Sequence, residues 1–151
     1  MRTFLFALAM TCTLLSCEQA PGTSMAAETP SHDATAPIMK DVGNDVFLKL
    51  MADKPHALLL DVRTPQEWDE GHLQGAAHAD CWGDEHAFQE AMDAIPRDRP
   101  VLVYCAGGGR SGLTAKELAE AGHQEVYNLE HGISGWIEEG LPVVTGPRVE
   151  H

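Results

Sequence analysis

The residues richest in chemistry lie between Val101 and Gly112, reading VLVYCAGGGRSG: four strand formers, a cysteine, an alanine, three glycines, an arginine, then the start of an amphipathic segment. Open α/β sheets bind ligands beyond the carboxyl ends of their strands, and Cys105 directly follows such an end. Gly107, Gly108 and Gly109 permit backbone conformations closed to other residues, so successive N–H groups can turn inward around one point, the Cys105 sulfur. A helix start aimed at the same place, with Arg110 nearby, favours the thiolate and lowers the cysteine pKa. The pattern therefore predicts a nucleophilic Cys105 cradled by Ala106, Gly107, Gly108, Gly109 and Arg110. The same donors would hold the negative charge of a persulfide or of an attacked sulfur oxyanion.

Other readings compete for this loop. Residues 107–112 match G-x-G-x-x-G, with Glu130 near the distance expected of a ribose-binding acid. A dinucleotide domain needs a further half-sheet downstream, and only about forty residues remain. A phosphate-binding P-loop would require a Lys followed by Ser or Thr, which the loop lacks. An inert core cysteine is the bland alternative, and the three glycines weigh against it.

The elements that must position this loop are legible as apolar runs of strand length alternating with amphipathic stretches of helix length, from Ile38 onward. Strands are expected near Ile38–Val42, Ala57–Val62, Ala76–Ala79, Val101–Tyr104 and Val126–Leu129, and helices near 43–53, 65–70, 83–94, 111–121 and 132–139. That order predicts an α/β domain over 38–145, with a central parallel sheet of about five strands and helices on both faces. Val101–Tyr104 lacks alternation, as a central strand buried on both faces does. Gly122 and Gly140 are expected to cap helix C-termini.

The first sixteen residues differ from the rest: Arg2, then an uncharged run from Phe4 to Leu15 without Gly or Pro. This reads as a secretory signal at 1–16, too short to span a bilayer. Leu14-Leu15-Ser16-Cys17 resembles the lipobox of bacterial lipoproteins, which would make Cys17 the acylated N-terminus; ordinary cleavage near Ser24 to Ala27 is the alternative. Both place the protein outside the cytoplasm, in the periplasm, touching a membrane only through a lipid anchor. Residues 17–37, rich in Ala, Pro, Thr, Ser and Glu, read as a disordered linker, and 146–151 as a tail. The linker would reach at most roughly 66 Å.

The chain has 151 residues, room for one domain, and a formal net charge of −13 that repels nucleic acid and anionic lipid. Export leaves Cys81 and Cys105 in an oxidising setting, where a disulfide between them is the default expectation; the loop around Cys105 argues for a reactive thiol instead. Cys81 lies in His78-Ala-Asp-Cys-Trp-Gly-Asp-Glu-His86, whose spacing fits no standard zinc site, so no metal is assigned. A role in resolving oxidised Cys105 is a second idea for Cys81. Asp61, Arg63, Glu67 and His72 stand in an apolar region and need partners, with Asp61–Arg63 or Glu67–Arg63 pairs framing the pocket as candidates. Trp68 and Trp136 read as packing residues.

The loop from Cys105 to Arg110 resembles the six-residue active-site loop of the rhodanese family. Upstream, Asp61-Val62-Arg63, Glu67-Trp68, Gly71-His72-Leu73 and Gly75-Ala76 resemble that family's first signature; downstream, Gly132, Trp136, Gly140, Leu141 and Pro142 resemble its closing one. The resemblance implies a parallel sheet flanked by helices and a two-step sulfur transfer without a cofactor. Cys105 takes a sulfane sulfur from a small donor such as thiosulfate or from a protein persulfide, then passes it to a thiol or cyanide-like acceptor. Arg110 would orient the anionic donor, and the N–H groups of residues 106 to 110 would stabilise the persulfide. Related phosphatases carry a loop one residue longer, so the four residues between Cys105 and Arg110 favour sulfur. A carrier or anion-binding module serving a partner protein is the reading from another class.

Two positions depart from the family's pattern. Ala106 stands where many thiosulfate-using members have a basic residue, which points to a donor of low charge. His131 replaces the first of two adjacent glycines and would be a proton donor or substrate contact if its turn lies beside the loop; an exposed turn histidine is the simpler expectation.

Overall fold

A computed structural model describes residues 37–147. Residues 1–16, Cys17, the linker up to 36 and the tail from 148 lie outside the described residues. Five strands, β1 (Ile38–Val42), β2 (Leu58–Asp61), β3 (Ala77–His78), β4 (Val101–Tyr104) and β5 (Glu125–Leu129), form one parallel sheet in the order β1-β5-β4-β2-β3. Helices α1 (Asn44–Asp53), α2 (Pro65–Glu70), α3 (Glu85–Asp93), α4 (Gly109–Glu120) and α5 (Gly132–Glu138) connect and cover them.

The period of two along each strand divides the core. Leu58, Leu60, Val62, Val101, Val103 and Cys105 face a cluster with Met92 of α3 and Ala115 and Leu118 of α4. Leu59, Leu102, Tyr104, Tyr127 and Leu129 face the opposite cluster, with Phe47 of α1, Trp68 of α2 and Ile133 and Trp136 of α5. Helices thus flank both faces, and β4, between β5 and β2, is buried at every residue. Its backbone pairs on both sides, so Cys105 leaves the sheet from its central, fully buried strand.

Two of the helices stop as expected of glycine-capped termini. Gly122 and Gly140 take φ of 96° and 74°, and each cap closes with paired bonds: Gly122 N–H to Ala119 O and His123 N–H to Leu118 O, then Gly140 N–H to Ile137 O and Leu141 N–H to Trp136 O. Most boundaries shift by one or two residues from the sequence expectation, and two of the shifts have a clear cause. β3 shrinks to two residues because it is an edge strand pairing only with β2. Helix α4 begins at Gly109, not 111, because Gly112 N–H already bonds Gly108 O at 2.9 Å, so Gly109 and Arg110 belong to its first turn.

Candidate active site

Cys105 sits where β4 ends and α4 is about to begin, 1% exposed, with the Gly108 N–H donating to its sulfur at 3.2 Å. Burial alone pushes the thiol pKa up. The Ser111 hydroxyl and the N–H groups of Ser111, Gly107 and Gly108 outweigh it, so the net shift is downward, toward the thiolate. The Ser111 hydroxyl also reaches Gly108 O at 3.2 Å, giving its proton two acceptors to choose between as the sulfur charges.

The three glycines are not equivalent. Only Gly108 has a left-handed φ, 87°, and a Cβ there would stand 1.9 Å from Glu130 O. Gly107 and Gly109 open onto free space. The expectation that all three supply special backbone conformations is therefore corrected to Gly108, whose carbonyl is also held by Asn128 Nδ2 at 3.1 Å. Ala106 is half-buried and anchored through its carbonyl, which accepts from Ser134 N–H at 3.0 Å, while Cys105 O accepts from Ile133 N–H at 2.8 Å. These bonds tie the loop to the start of α5. Gly132, φ 57°, makes the approach feasible, since a Cβ there would lie 2.3 Å from Ala106 O.

Arg110 projects from the first turn of α4 and meets Glu67 with both fork nitrogens, at 2.9 and 2.6 Å. Glu67 is fixed by its own helix end: Thr64 and Glu67 form the capping box of α2, and Thr64 N–H and Oγ1–H donate to Glu67 Oε2 at 3.0 and 2.9 Å. The Arg110 pairing, followed by the Thr64 bonds, lowers the Glu67 carboxyl to about 2 against the pull of burial. The Trp82 ring covers the guanidinium, whose carbon lies 4.1 Å from the ring centroid.

Arg63 does not pair with Glu67. It is buried against Asp61, with Nη2 to Oδ2 at 2.7 Å, and donates to Gly71 O at 2.7 Å. His72 stacks on Trp68 with centroids 3.6 Å apart. These groups brace the strand end rather than enter the pocket.

Cys81 and Cys105 are free thiols, in line with the reactive-thiol reading of Cys105 over a disulfide between the two. Cys81 N–H bonds Val62 O and Val62 N–H bonds Tyr104 O, placing Cys81 about two strand spacings, roughly 10 Å, from the end of β4. That exceeds the span a disulfide bridges without backbone movement. Burial raises the Cys81 pKa, so it is the less reactive thiol. Among the described residues, no group of three His, Cys, Asp or Glu side chains is placed to hold a metal ion. His131 is exposed at the start of α5; its turn does lie beside the loop, but Gly132 makes the close contact.

Sequence reasoning missed Ser111, Asn128 and Trp82 and read Glu67 as structural. Ser111 had a signal, since it directly follows Arg110 at a helix start. The others act across 20 to 43 positions of sequence separation, or through a loop turn, and left none.

The comparisons agree with this geometry. The Rhodanese-like domain family matches residues 44–139. A sulfurtransferase of Allochromatium vinosum is 33% identical over 107 residues, 71% of this chain and 96% of that protein. The thiosulfate sulfurtransferase GlpE of Actinobacillus succinogenes is 36% identical over 95 residues, covering 63% and 82% of the two chains. Among solved structures, a rhodanese-related protein from Thermoplasma volcanium superposes with a TM-score of 0.58 at 29% identity, over 71% of this chain and 99% of that one. A polysulfide-sulfur transferase homodimer from Wolinella succinogenes gives 0.59 at 29% identity, over 75% and 83%. With its five-stranded parallel sheet, its cysteine loop and a family match across residues 44–139, the chain belongs to the Rhodanese-like domain family.

Proposed function

We propose that the protein is an exported sulfurtransferase that carries a sulfane sulfur on Cys105 as a persulfide. Family membership and the sulfurtransferase-named relatives support sulfur transfer in general. The observation that carries the particular mechanism is the Cys105 sulfur at the end of β4, receiving the Gly108 N–H at 3.2 Å with Ser111 and Gly107 donors around it.

The Cys105 thiolate attacks the terminal sulfur of a donor such as thiosulfate or a persulfide. A bond forms between the two sulfurs, the donor's own sulfur–sulfur bond breaks, and its electron pair leaves as sulfite or a thiolate. The N–H groups facing Cys105 hold the negative charge of the resulting persulfide. A thiol or cyanide then attacks the outer sulfur and returns Cys105 as thiolate. With Cys105 as a residue 1% exposed, a slender terminal atom is the group best able to reach it, which suits sulfane sulfur. Arg110 orients the donor with the N–H groups that Glu67 leaves free.

Cyanide-dependent thiocyanate formation tests this directly. Wild-type protein should turn over and Cys105→Ser should fall to background, with a mass increase of one sulfur on wild type treated with donor alone. A folded wild type that binds sulfur without turnover would instead be a carrier for a partner protein.

Export and anchoring rest on Arg2, the apolar run to Leu15 and Cys17. Metabolic palmitate labelling that disappears in Cys17→Ala is the expected result; labelling retained in Cys17→Ala would remove Cys17 as the anchor.

A further inference from the structure

Beside the loop lies a cavity of about 450 Å³ whose walls include Cys81, Trp82, Phe88, Arg110 and Leu113, a volume in the range of small-molecule sites. It adjoins the Cys105 loop through Arg110, which both lines the cavity and closes that loop. Two large apolar side chains at its edge are exposed, Trp82 at 70% and Leu113 at 67%, on a chain of net charge −13. Neither packs a core, so the fold does not account for them.

The electrostatics of the cavity disfavour a doubly charged occupant. Among the described residues lining it, Arg110 is the one Arg or Lys, and its fork is neutralised by Glu67 at 2.9 and 2.6 Å while its face is covered by Trp82. Glu85 and Glu117 line the same cavity. A dianion would meet two carboxylates and one spent cation. A donor carrying at most one negative charge, with a carbon substituent, meets an indole ring, a leucine and a phenylalanine instead.

Resting on the sulfurtransferase reading, we infer that this cavity is a subsite for the apolar substituent of an organic sulfane-sulfur donor, and that Trp82 sets the preference for such donors over thiosulfate. The Trp82 N–H donates to Asp80 Oδ1 at 2.9 Å within its turn, and the ring lies over Arg110.

Thiosulfonates, R–SO₂–S⁻, are matched probes. The Cys105 thiolate bonds to the terminal sulfur, the sulfur–sulfur bond breaks, and the electron pair leaves as the sulfinate R–SO₂⁻. Thiosulfate differs only in having a charged oxygen as R and leaves as sulfite. Benzenethiosulfonate, methanethiosulfonate and thiosulfate are compared by kcat/KM in the cyanide assay.

The expected order is benzene above methane above thiosulfate, with about tenfold between the first two, the size of discrimination an apolar pocket gives. Trp82→Ala should cut the benzene-to-methane ratio about tenfold through KM, Trp82→Phe should keep it, and Val46→Ala, on α1, should leave it alone. The folded fraction cancels in this ratio, so partial misfolding cannot imitate the effect. A ratio unchanged in Trp82→Ala, or thiosulfate as the best donor, overturns the subsite. Mass spectrometry of Cys105 separates the two levels: loading by thiosulfate with no preference removes the subsite alone, whereas no loading by any donor removes the sulfurtransferase reading and the subsite with it.

Discussion

At the scale of single residues, the reactivity of Cys105 is a contest between burial, which penalises the thiolate, and hydrogen bonds, which favour it. Ser111 contributes both a hydroxyl and an N–H to the winning side, and its hydroxyl is the part a substitution can remove. Because the folded pKa of Cys105 lies below that of a free thiol, the thiolate and its reactivity extend to lower pH than a free thiol's and are lost as pH falls through the lowered value. Ser111→Ala should move this acid limb toward higher pH. A hydrogen bond to a charged group is worth about 1.5–3 kcal/mol, so alkylation of Cys105 by iodoacetamide at pH 7 should slow about tenfold in this variant. An unshifted profile would assign the lowering to backbone donors alone. His131→Gly should leave the same profile unchanged, since His131 is exposed and it is Gly132 that touches the loop.

At the scale of elements, the loop is held by two arrangements that meet at the carboxyl edge of the sheet. Gly108 is pinned between α4 and the end of β5, so Gly108→Ala must relieve a Cβ placed 1.9 Å from Glu130 O and a left-handed φ. The strain should cost about 1–3 kcal/mol in urea unfolding and abolish turnover, while Gly107→Ala, facing open space, should unfold like wild type. The capping box of α2 is the second, since the carboxylate that closes the helix end also orients Arg110. Glu67→Gln should lower stability at neutral pH by about 1 kcal/mol. The Glu67 carboxyl is depressed from 4.5 to about 2, so its contribution is complete above pH 4.5 and disappears as pH falls through about 2. The stability gap between the two proteins should therefore close over that interval, measured by thermal melts at stepped pH.

At the scale of the whole molecule, the net charge of −13 sets a repulsive background for any anionic donor. Screening weakens that repulsion, so kcat/KM for thiosulfate should rise about two- to threefold between low and physiological ionic strength. For a neutral acceptor the rate should stay flat. A thiosulfate rate that falls with salt would mean that Arg110 attracts the donor more strongly than the rest of the chain repels it.

The sequence alone determined the parts of this protein whose physics is local. The unbroken apolar run Val101–Tyr104 has no polar face to offer solvent, which pointed to a central strand; glycines after two amphipathic stretches pointed to helix ends; and a cysteine between a buried strand and a helix start pointed to that helix's N–H groups. The tertiary structure decided what depends on chain segments distant in sequence. Arg110 found Glu67 forty-three residues away rather than leaving Glu67 to Arg63, because only the sheet order brings α2 beside α4. Which of three identical glycines carries the left-handed turn was decided by the carbonyl of Glu130 arriving from β5. Trp82 carried no sequence signal before the fold laid its ring over Arg110, since an aromatic residue in a turn has no period to betray it.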